Sequence, residues 1–493
     1  MTGPSTSSRL SADLVVVGGG IAGVSCAEAL AVLSPDASVL LVSASPLIKA
    51  ATNVQPLTKY LVRFDVEEQD AACLTQRCPT VQVIHDEVVA LHPAGQGGQG
   101  GQDGGELVTS SGRRVSFGRV CVCAGARPKP TLTDHPLVLT LRDTESVRTL
   151  QARVAGARRV LVVGNGGIAT ELVHEVRGVE VVWVVRHDHI SAAFVDAGAA
   201  EFLMPAATQD SMSATKDADD VAKPVVKRMR YTEAKAEPSQ GAGAALGPDW
   251  HAHWELHGRD ESKARPLRVE YGCEVARMLP GDDRWPAYAE LTNGVTIGVD
   301  LVVSATGVVP SVHAFANGNP TLRLHDDGGI LVDEHMRSSV PRVFAAGDAC
   351  TAGWAHAKHW FQMRLWTQAR QMGAYAARCM VADKDGAIAE VLQDFCFEMF
   401  THVTRFFGHK VVLLGLHNGQ KLDRGEWEMM LRAVKGKEYV KLVLQQGRVQ
   451  GAVLVGDTDL EETFENLILD QVDVSHLGED LLNPHVDVED YFD

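Results

Sequence analysis

Leu14-Val-Val-Val-Gly18-Gly-Gly20-Ile-Ala-Gly23-Val-Ser-Cys-Ala-Glu-Ala-Leu30 is the stretch on which the fold turns. Four apolar residues, Leu14 to Val17, suit a short buried strand. Gly18, Gly20 and Gly23 follow in the spacing G-x-G-x-x-G, and alanines and leucine at helical intervals come next. Strand, glycine turn and helix open a dinucleotide-binding βαβ unit. Gly18 makes the tight turn, Gly20 lets backbone approach a pyrophosphate, and Gly23 lets helix and strand pack closely. The helix N-terminus favours the anion by ~0.3–1 kcal/mol through its free N–H groups and dipole. One such pattern also occurs as an ordinary strand-to-helix turn, so the rest of the chain has to decide.

Downstream, Ser38 to Ser43 is expected to be the second strand of the unit. An acidic residue often ends this strand and binds a ribose hydroxyl. Ser43 stands there, able to hydrogen-bond but without charge. Strand signals return from Val81 to Leu91, with Val88 a candidate cofactor contact, before a low-complexity run, Gly95 to Gly105, expected as a flexible loop. Val120-Cys-Val-Cys-Ala-Gly125-Ala-Arg-Pro128 is an apolar strand ending in a small-residue turn, where Gly125 lets backbone come close to a cofactor.

A second strand-turn-helix start lies at Arg159 to Leu172, where Gly164, Gly166 and Ala169 give G-x-G-x-x-A. The strand from Val179 to Val185 runs into Arg186, which suits the 2′-phosphate of NADPH; a plain surface arginine is the alternative. Two such units in one chain imply two dinucleotides. Residues 204–268, rich in Asp, Lys, Ala, Gly and Pro, predict a partly disordered insertion. Asp300 to Pro310 repeats the strand-then-small-turn pattern, with Gly307 in the turn. A later strand ends in Gly-Asp348, which aims a carboxylate at a cofactor hydroxyl. Trp360 to Val381 has helical spacing. Strands at Val411 to Leu416, Tyr439 to Gln445 and Gln450 to Val455, then a helix from Leu460 to Leu469, predict a separate α+β domain with an acidic tail.

Composition narrows the partners. The chain has 493 residues, with 46 basic against 63 acidic and a net charge of −17. That argues against direct nucleic-acid binding, which needs a basic face. No apolar run approaches the roughly 20 residues needed to span a bilayer, so no membrane role is expected. Nine scattered cysteines fit a reducing compartment.

Taken in order, these pieces resemble the two-dinucleotide flavoproteins, the pyridine nucleotide–disulphide oxidoreductases. The resemblance implies an α/β fold: two Rossmann-like dinucleotide-binding domains plus a C-terminal α+β domain. The expected boundaries are 11–145 and 311–385 for FAD, 146–310 for NAD(P)H and 390–493 for the last domain. It also implies that Asp348 holds the ribityl chain of FAD, and that Arg142, in Leu-Arg-Asp-Thr, sits near the flavin. Phe194 to Phe202, Met363 to Gly373, Thr458 to Ile468 and the terminal Glu-Asp-Tyr-Phe-Asp are similar to a eukaryotic branch of that superfamily. That branch is associated with protecting the tRNA-splicing ligase from oxidation, which implies a protein partner and residence in nucleus and cytoplasm.

One departure decides the expected mechanism. Disulphide reductases of the superfamily carry C-x-x-x-x-C-x-x-S-K after the second strand. Here Ala50-Ala-Thr-Asn-Val-Gln-Pro-Leu-Thr-Lys59 aligns with it, so Ala50 and Gln55 replace the thiols and Lys59 remains. The resemblance implies that Lys59 pairs with Glu171 beside flavin N5; a local capping or packing role for Glu171 is the alternative. A second C-x-x-x-x-C, Cys73 to Cys78, lies downstream. Cys121 and Cys123, two apart on a strand, are read as packing, and His402 and His409 as ordinary domain residues. The expectation is an FAD-dependent NAD(P)H oxidoreductase without a redox disulphide, its acceptor open and no metal required. Two alternatives stand: a redox-gated binding protein that shields a partner, and a disulphide reductase using Cys73 and Cys78.

Overall fold

The computed structural model describes residues 9–93, 105–129, 132, 135–141, 144–208, 225–230, 267–423 and 425–483, with backbone alone at 144, 205–208 and 225–230. Its first sheet is built around Arg9–Val17. That strand lies parallel to Val39–Ser43 on one side and Arg114–Val122 on the other, with Val17 opposite both Val42 and Val122. Val81–His85 extends the sheet beyond Val39–Ser43, and Val343–Ala345 joins Arg114–Val122 in parallel. Every residue of Val39–Ser43 is buried. Such an unbroken apolar run, without alternation, is what a strand covered on both faces requires.

The helix Ile21–Leu33 follows the first glycine turn and packs against Trp366–Lys384. Its first two turns, Ile21 to Ala27, are buried throughout because they lie between the sheet and that second helix, while Val32 and Leu33 at its end are exposed. The two helix backbones meet at Gly373, where a Cβ would overlap the carbonyl oxygen of Ala22.

The second sheet has the order Val138–Thr140, Leu301–Ser304, Arg159–Val163, Glu180–Val185, Leu267–Tyr271, all parallel. A three-stranded antiparallel sheet, Val275–Pro280, Ala287–Leu291 and Thr296–Val299, shares a core with it. The third sheet is antiparallel and carries the helix Glu461–Asp470. Phe464, Leu467 and Ile468, one stripe of that helix, are buried in a common core with the sheet. Two of its hairpins turn through Phe407-Gly408 and Gln446-Gly447, all four residues at positive φ. Two-residue turns of this hand match the twist of the strands they join.

Several expectations need correction. The run from Val81 to Leu91 is two strands, Val81–His85 and Val88–Pro93, broken at Asp86 and Glu87, and the second pairs antiparallel with Gly105–Thr109. The long helix starts at Trp366 rather than Trp360. Gln362 is held by the backbone of Cys350 and Ala352, which ties the preceding residues to that strand and out of the helix. Inside the predicted insertion, Val225–Arg230 is a strand on the edge of the third sheet, antiparallel to Glu428–Val434. The rest of 209–266, most of the low-complexity run, the acidic tail beyond 483 and Arg142 lie outside the described residues. No helix among the described residues is long and apolar enough to cross a membrane.

Gly373→Val would force a branched side chain into the backbone of Ala22, which has no rotamer with which to yield. Overpacking of this kind should cost at least ~2 kcal/mol, seen as a lower melting temperature. An unchanged melting temperature would show that the two helices have room to part.

Candidate functional site

Both glycine turns are closed by the same device. At the first, Gly18 takes φ +120° and a Cβ there would overlap the carbonyl oxygen of Cys123. Gly18 N–H donates to Val42 O (2.8 Å) and Cys123 N–H to Val17 O (2.8 Å). At the second, Gly164 takes φ +130° and a Cβ would overlap the carbonyl of Ala305. Gly164 N–H donates to Val184 O (3.1 Å) and Ala305 N–H to Val163 O (2.7 Å). In each unit three parallel strand ends converge on one residue without a side chain.

The first turn opens on a cavity of about 670 Å³. It brings together six of the residues singled out from the sequence: Gly18, Gly20, Ser43, Val88, Gly125 and Asp348. Gly20 caps the helix Ile21–Leu33 without a side chain, and a Cβ there would meet no protein atom within 4 Å. The space over Gly20 and the free N–H groups of the first helical turn therefore belong to whatever anion binds. Gly23 does not line the cavity. It packs the helix onto the turn, since a Cβ there would overlap the carbonyl of Gly18.

Ser43 lines the cavity, but its hydroxyl is committed: it donates to Ser45 O (2.7 Å) and accepts from Ser45 N–H (3.2 Å). A ribose contact through that oxygen has to compete with the turn. Asp86, next to Val88, was missed by sequence reasoning. Burial works to raise its carboxyl, and the hydroxyls of Ser111, Thr109 and Ser110 more than reverse this, down to about 2. The ionised Asp86 thus ties the Ser110-Ser111 turn to the break between the two strands and places Val88. No motif signals it.

Asp348 sits in the single turn Gly347–Ala349. Burial pushes its carboxyl up to about 6, against the opposing pull of the Arg364 guanidinium. Arg364 donates to the backbone carbonyl of Asp348 (3.1 Å) and to Asp327 (2.7 Å), and no described side chain donates to the Asp348 carboxylate. A half-buried carboxylate short of donors, lining the same cavity as the glycine turn, fits the ribityl hydroxyls of FAD.

Lys59 and Glu171 are not brought together. Leu47–Pro56 is an extended strand paired antiparallel with Val62–Asp70, and Lys59 is exposed at the bend between them, 5.5 Å from the Tyr60 ring. The bend is pinned elsewhere: Thr58 and the backbone N–H of Tyr60 bond Glu465 on the C-terminal helix. Glu171 is buried in the helix Gly167–Glu175, and among the described residues no ion pair joins it to Lys59. The lysine that does line the cavity is Lys49, 4.0 Å from Glu68 and anchored by its own N–H to Gly19 O (2.8 Å).

Neither Cys73 nor Cys78 lines the cavity; they lie on the helix Ala71–Arg77 and its C-cap. Cys121 and Cys123 are buried with sulfurs 3.5 Å apart, and Cys123 forms part of the wall. His402 is buried against Trp366 and Phe194, and burial pushes it down to about 3, so the ring is neutral.

The second cleft is shallow, with about 20 Å³ enclosed. It joins Gly166 and Gly307, the latter at φ +99°. Ala169 is fully buried in the helix core, where it lets the helix approach the sheet. Arg186 is exposed just past the strand Glu180–Val185, outside the cleft lining.

Residues 12–216 and 257–373 match the family described as pyridine nucleotide-disulphide oxidoreductase. The mouse "pyridine nucleotide-disulfide oxidoreductase domain-containing protein 1" is 47% identical over 98% of this chain and 99% of its own length. Its Drosophila melanogaster counterpart is 45% identical over 98% and 99%, and that of Dictyostelium discoideum 33% over 98% and 99%. Among solved structures, a ferredoxin reductase from Rhodopseudomonas palustris superposes with a TM-score of 0.61 at 19% identity, covering 90% of this chain and 91% of that one. An engineered water-forming NADPH oxidase bound to NADPH superposes with a TM-score of 0.61 at 15% identity, covering 94% and 92%.

Two outcomes are expected at the first cavity. Gly20→Val should fold, because no protein atom is displaced, yet purify without flavin colour; a yellow variant of normal FAD content would remove the first turn from the binding site. The second concerns pH. Hydroxyl donors favour the ionised Asp348, so FAD binding releases a proton below about pH 6. Affinity is then full above that value and falls by up to about tenfold per unit below it. Asp348→Asn should flatten this dependence in fluorescence titrations of the apoprotein.

Proposed function

The chain belongs to the pyridine nucleotide-disulphide oxidoreductase family, and from that premise we propose an FAD-dependent NAD(P)H oxidoreductase with no disulphide relay beside its flavin. FAD and NAD(P)H are its cofactors. Bound FAD supplies a ring that takes up hydride from NAD(P)H and passes electrons on.

The chain's own residues hold and orient. Gly18 and Gly20, with the N-terminal turn of Ile21–Leu33, take the FAD diphosphate. Asp348 accepts from the ribityl hydroxyls. The second turn, Gly164 to Gly167, takes the nicotinamide nucleotide, and Arg186 at the adjoining strand end favours a 2′-phosphate. Trp366, set edge-on to Phe64 at 4.7 Å, walls the cavity against water.

The observation that carries the missing relay is the strand Leu47–Pro56. It sets Ala50 in the core and Gln55 in solvent where the family's thiol pair would align. All nine cysteines are free, and Cys123 alone lines the cavity, from the core side. With no thiol pair in between, bound FAD would hand its electrons to oxygen, another small acceptor or an oxidised partner protein. The tRNA-splicing ligase is the partner to which the resemblance points, with action in nucleus and cytoplasm.

Anaerobic titration tests this reading. One equivalent of NADPH should reduce the flavin fully, with two electrons taken up per chain, and Cys73→Ser with Cys78→Ser should leave the titration unchanged. Uptake of four electrons by wild type and two by the double variant would restore the disulphide reductase.

A further inference from the structure

Lys441 is the one lysine among the described residues that is buried, at 1% exposed. It sits on the strand Glu438–Gln445 of the third sheet, and its ammonium bonds Asp196, a residue of the second unit, and Asn418 Oδ1 (2.8 Å). Removing two charges from water is costly, and such a pair persists only when its remaining hydrogen-bonding capacity is met. Here it is met. Asp196 Oδ1 accepts from Ala199 N–H (2.9 Å) at the start of the helix Ala197–Thr208 and from Tyr439 Oη (3.5 Å). Asn418 Nδ2 in turn donates to the carbonyl of Phe194 (3.2 Å). Burial works against the charge on Asp196, and Lys441 beside it more than reverses this, so the carboxyl lies below its usual value.

Both tethers therefore end on the segment 191–196, and that segment backs the second glycine turn. Thr170 donates to the carbonyl of Gly166 (3.0 Å), and its hydroxyl also meets that of Ser191 (2.9 Å), both side chains fully buried. The Phe194 ring stands 3.5 Å from where a Cβ on Gly167 would be. The same ring packs against His402 and Phe406, both from the third sheet. Gly198 lies so close to Tyr439 Oη that a side chain there would collide with it.

We propose that Lys441 and Asn418 are positioning residues for the nicotinamide site: through Asp196 and Phe194, the C-terminal sheet holds the segment behind Gly166 and Gly167 in register. The inference rests on the reading of the second turn as the NAD(P)H site and deepens it. Neither residue touches the nucleotide. They act by denying the glycine turn the freedom to move away from it, so their loss is felt in nucleotide affinity while FAD, held by the other unit, stays bound.

The test is anaerobic flavin reduction by NADPH and by NADH in the full-length holoprotein, with FAD content and melting temperature measured alongside. Lys441→Met leaves Asp196 buried without its counter-ion, and the variant is expected to lose stability. Asp196→Leu with Lys441→Met removes both charges and keeps the volume filled. The double variant should carry one FAD per chain, and its half-saturating NAD(P)H concentration should rise at least fivefold while the limiting rate changes less than twofold. Asn418→Ala, which breaks one tether and leaves the charges paired, should shift the same concentration two- to threefold and decides the matter if the double variant does not fold. Wild-type affinity in either folded variant overturns the proposal. A wild-type flavin that NAD(P)H cannot reduce would overturn the functional reading itself, and this inference with it.

Discussion

The structure depends on a backbone-to-backbone approach made twice. A carbonyl oxygen at the end of one strand, Cys123 in the first unit and Ala305 in the second, fills the place where Gly18 or Gly164 would carry a side chain. Any L-residue there meets both a steric wall and a positive φ that it rarely adopts. The approach lets strand, turn and helix close into a mouth, and it aims the unpaired N–H groups of each helix start at open space rather than at protein. The rest of the chain is arranged to supply that mouth with walls: Asp348 from a returning strand, Val88 from a corner held by Asp86, and Trp366 from the start of the long helix.

What was legible in the sequence was the part that steric necessity writes in residue types. Glycines at fixed intervals, apolar runs of strand length and a Gly-Asp at a strand end have few physical alternatives, so Gly18, Gly20, Gly125, Gly166, Gly307 and Asp348 could be placed on cavity walls in advance. What could not be read was set by tertiary contact. Lys59 aligns with the family's flavin-side lysine, but Thr58 and Tyr60 have a distant partner, Glu465, and this docks the bend on the C-terminal helix, with Lys59 exposed. Nothing in the local sequence announces a bond across some 400 positions. Asp86 escaped notice for the same reason: its role comes from hydroxyls on the next hairpin, and a lone aspartate before a strand carries no pattern. Ser43 was found, but whether its hydroxyl is available depends on a turn two residues away.

The third sheet lies outside the residues that match the family, 12–216 and 257–373, yet it packs closely on the second unit. One of its faces shares a core with the helix Glu461–Asp470. Residues of its other face, among them Phe406, Leu413, Tyr439 and Val453, are continuous with the core of the second unit. Lys441 and Asp196 lie at that seam. Sliding the sheet along that seam would leave both charges buried without a partner, which is costly. Apolar packing alone tolerates such slips.

The edge strand Val225–Arg230 has a consequence for how the polypeptide is made. It leaves the ribosome roughly 200 residues before Glu428–Val434, the strand it must pair with, so for many seconds of synthesis at ~5–20 residues per second it has no mate. Its sequence suits that wait. Three of its six residues, Lys227, Arg228 and Arg230, are basic, and like charges at close spacing keep an orphan strand from pairing with a neighbouring nascent copy. The last domain is in this sense not an appendage. It receives a strand translated long before it, and its sheet is complete only when the two ends of that long interval meet.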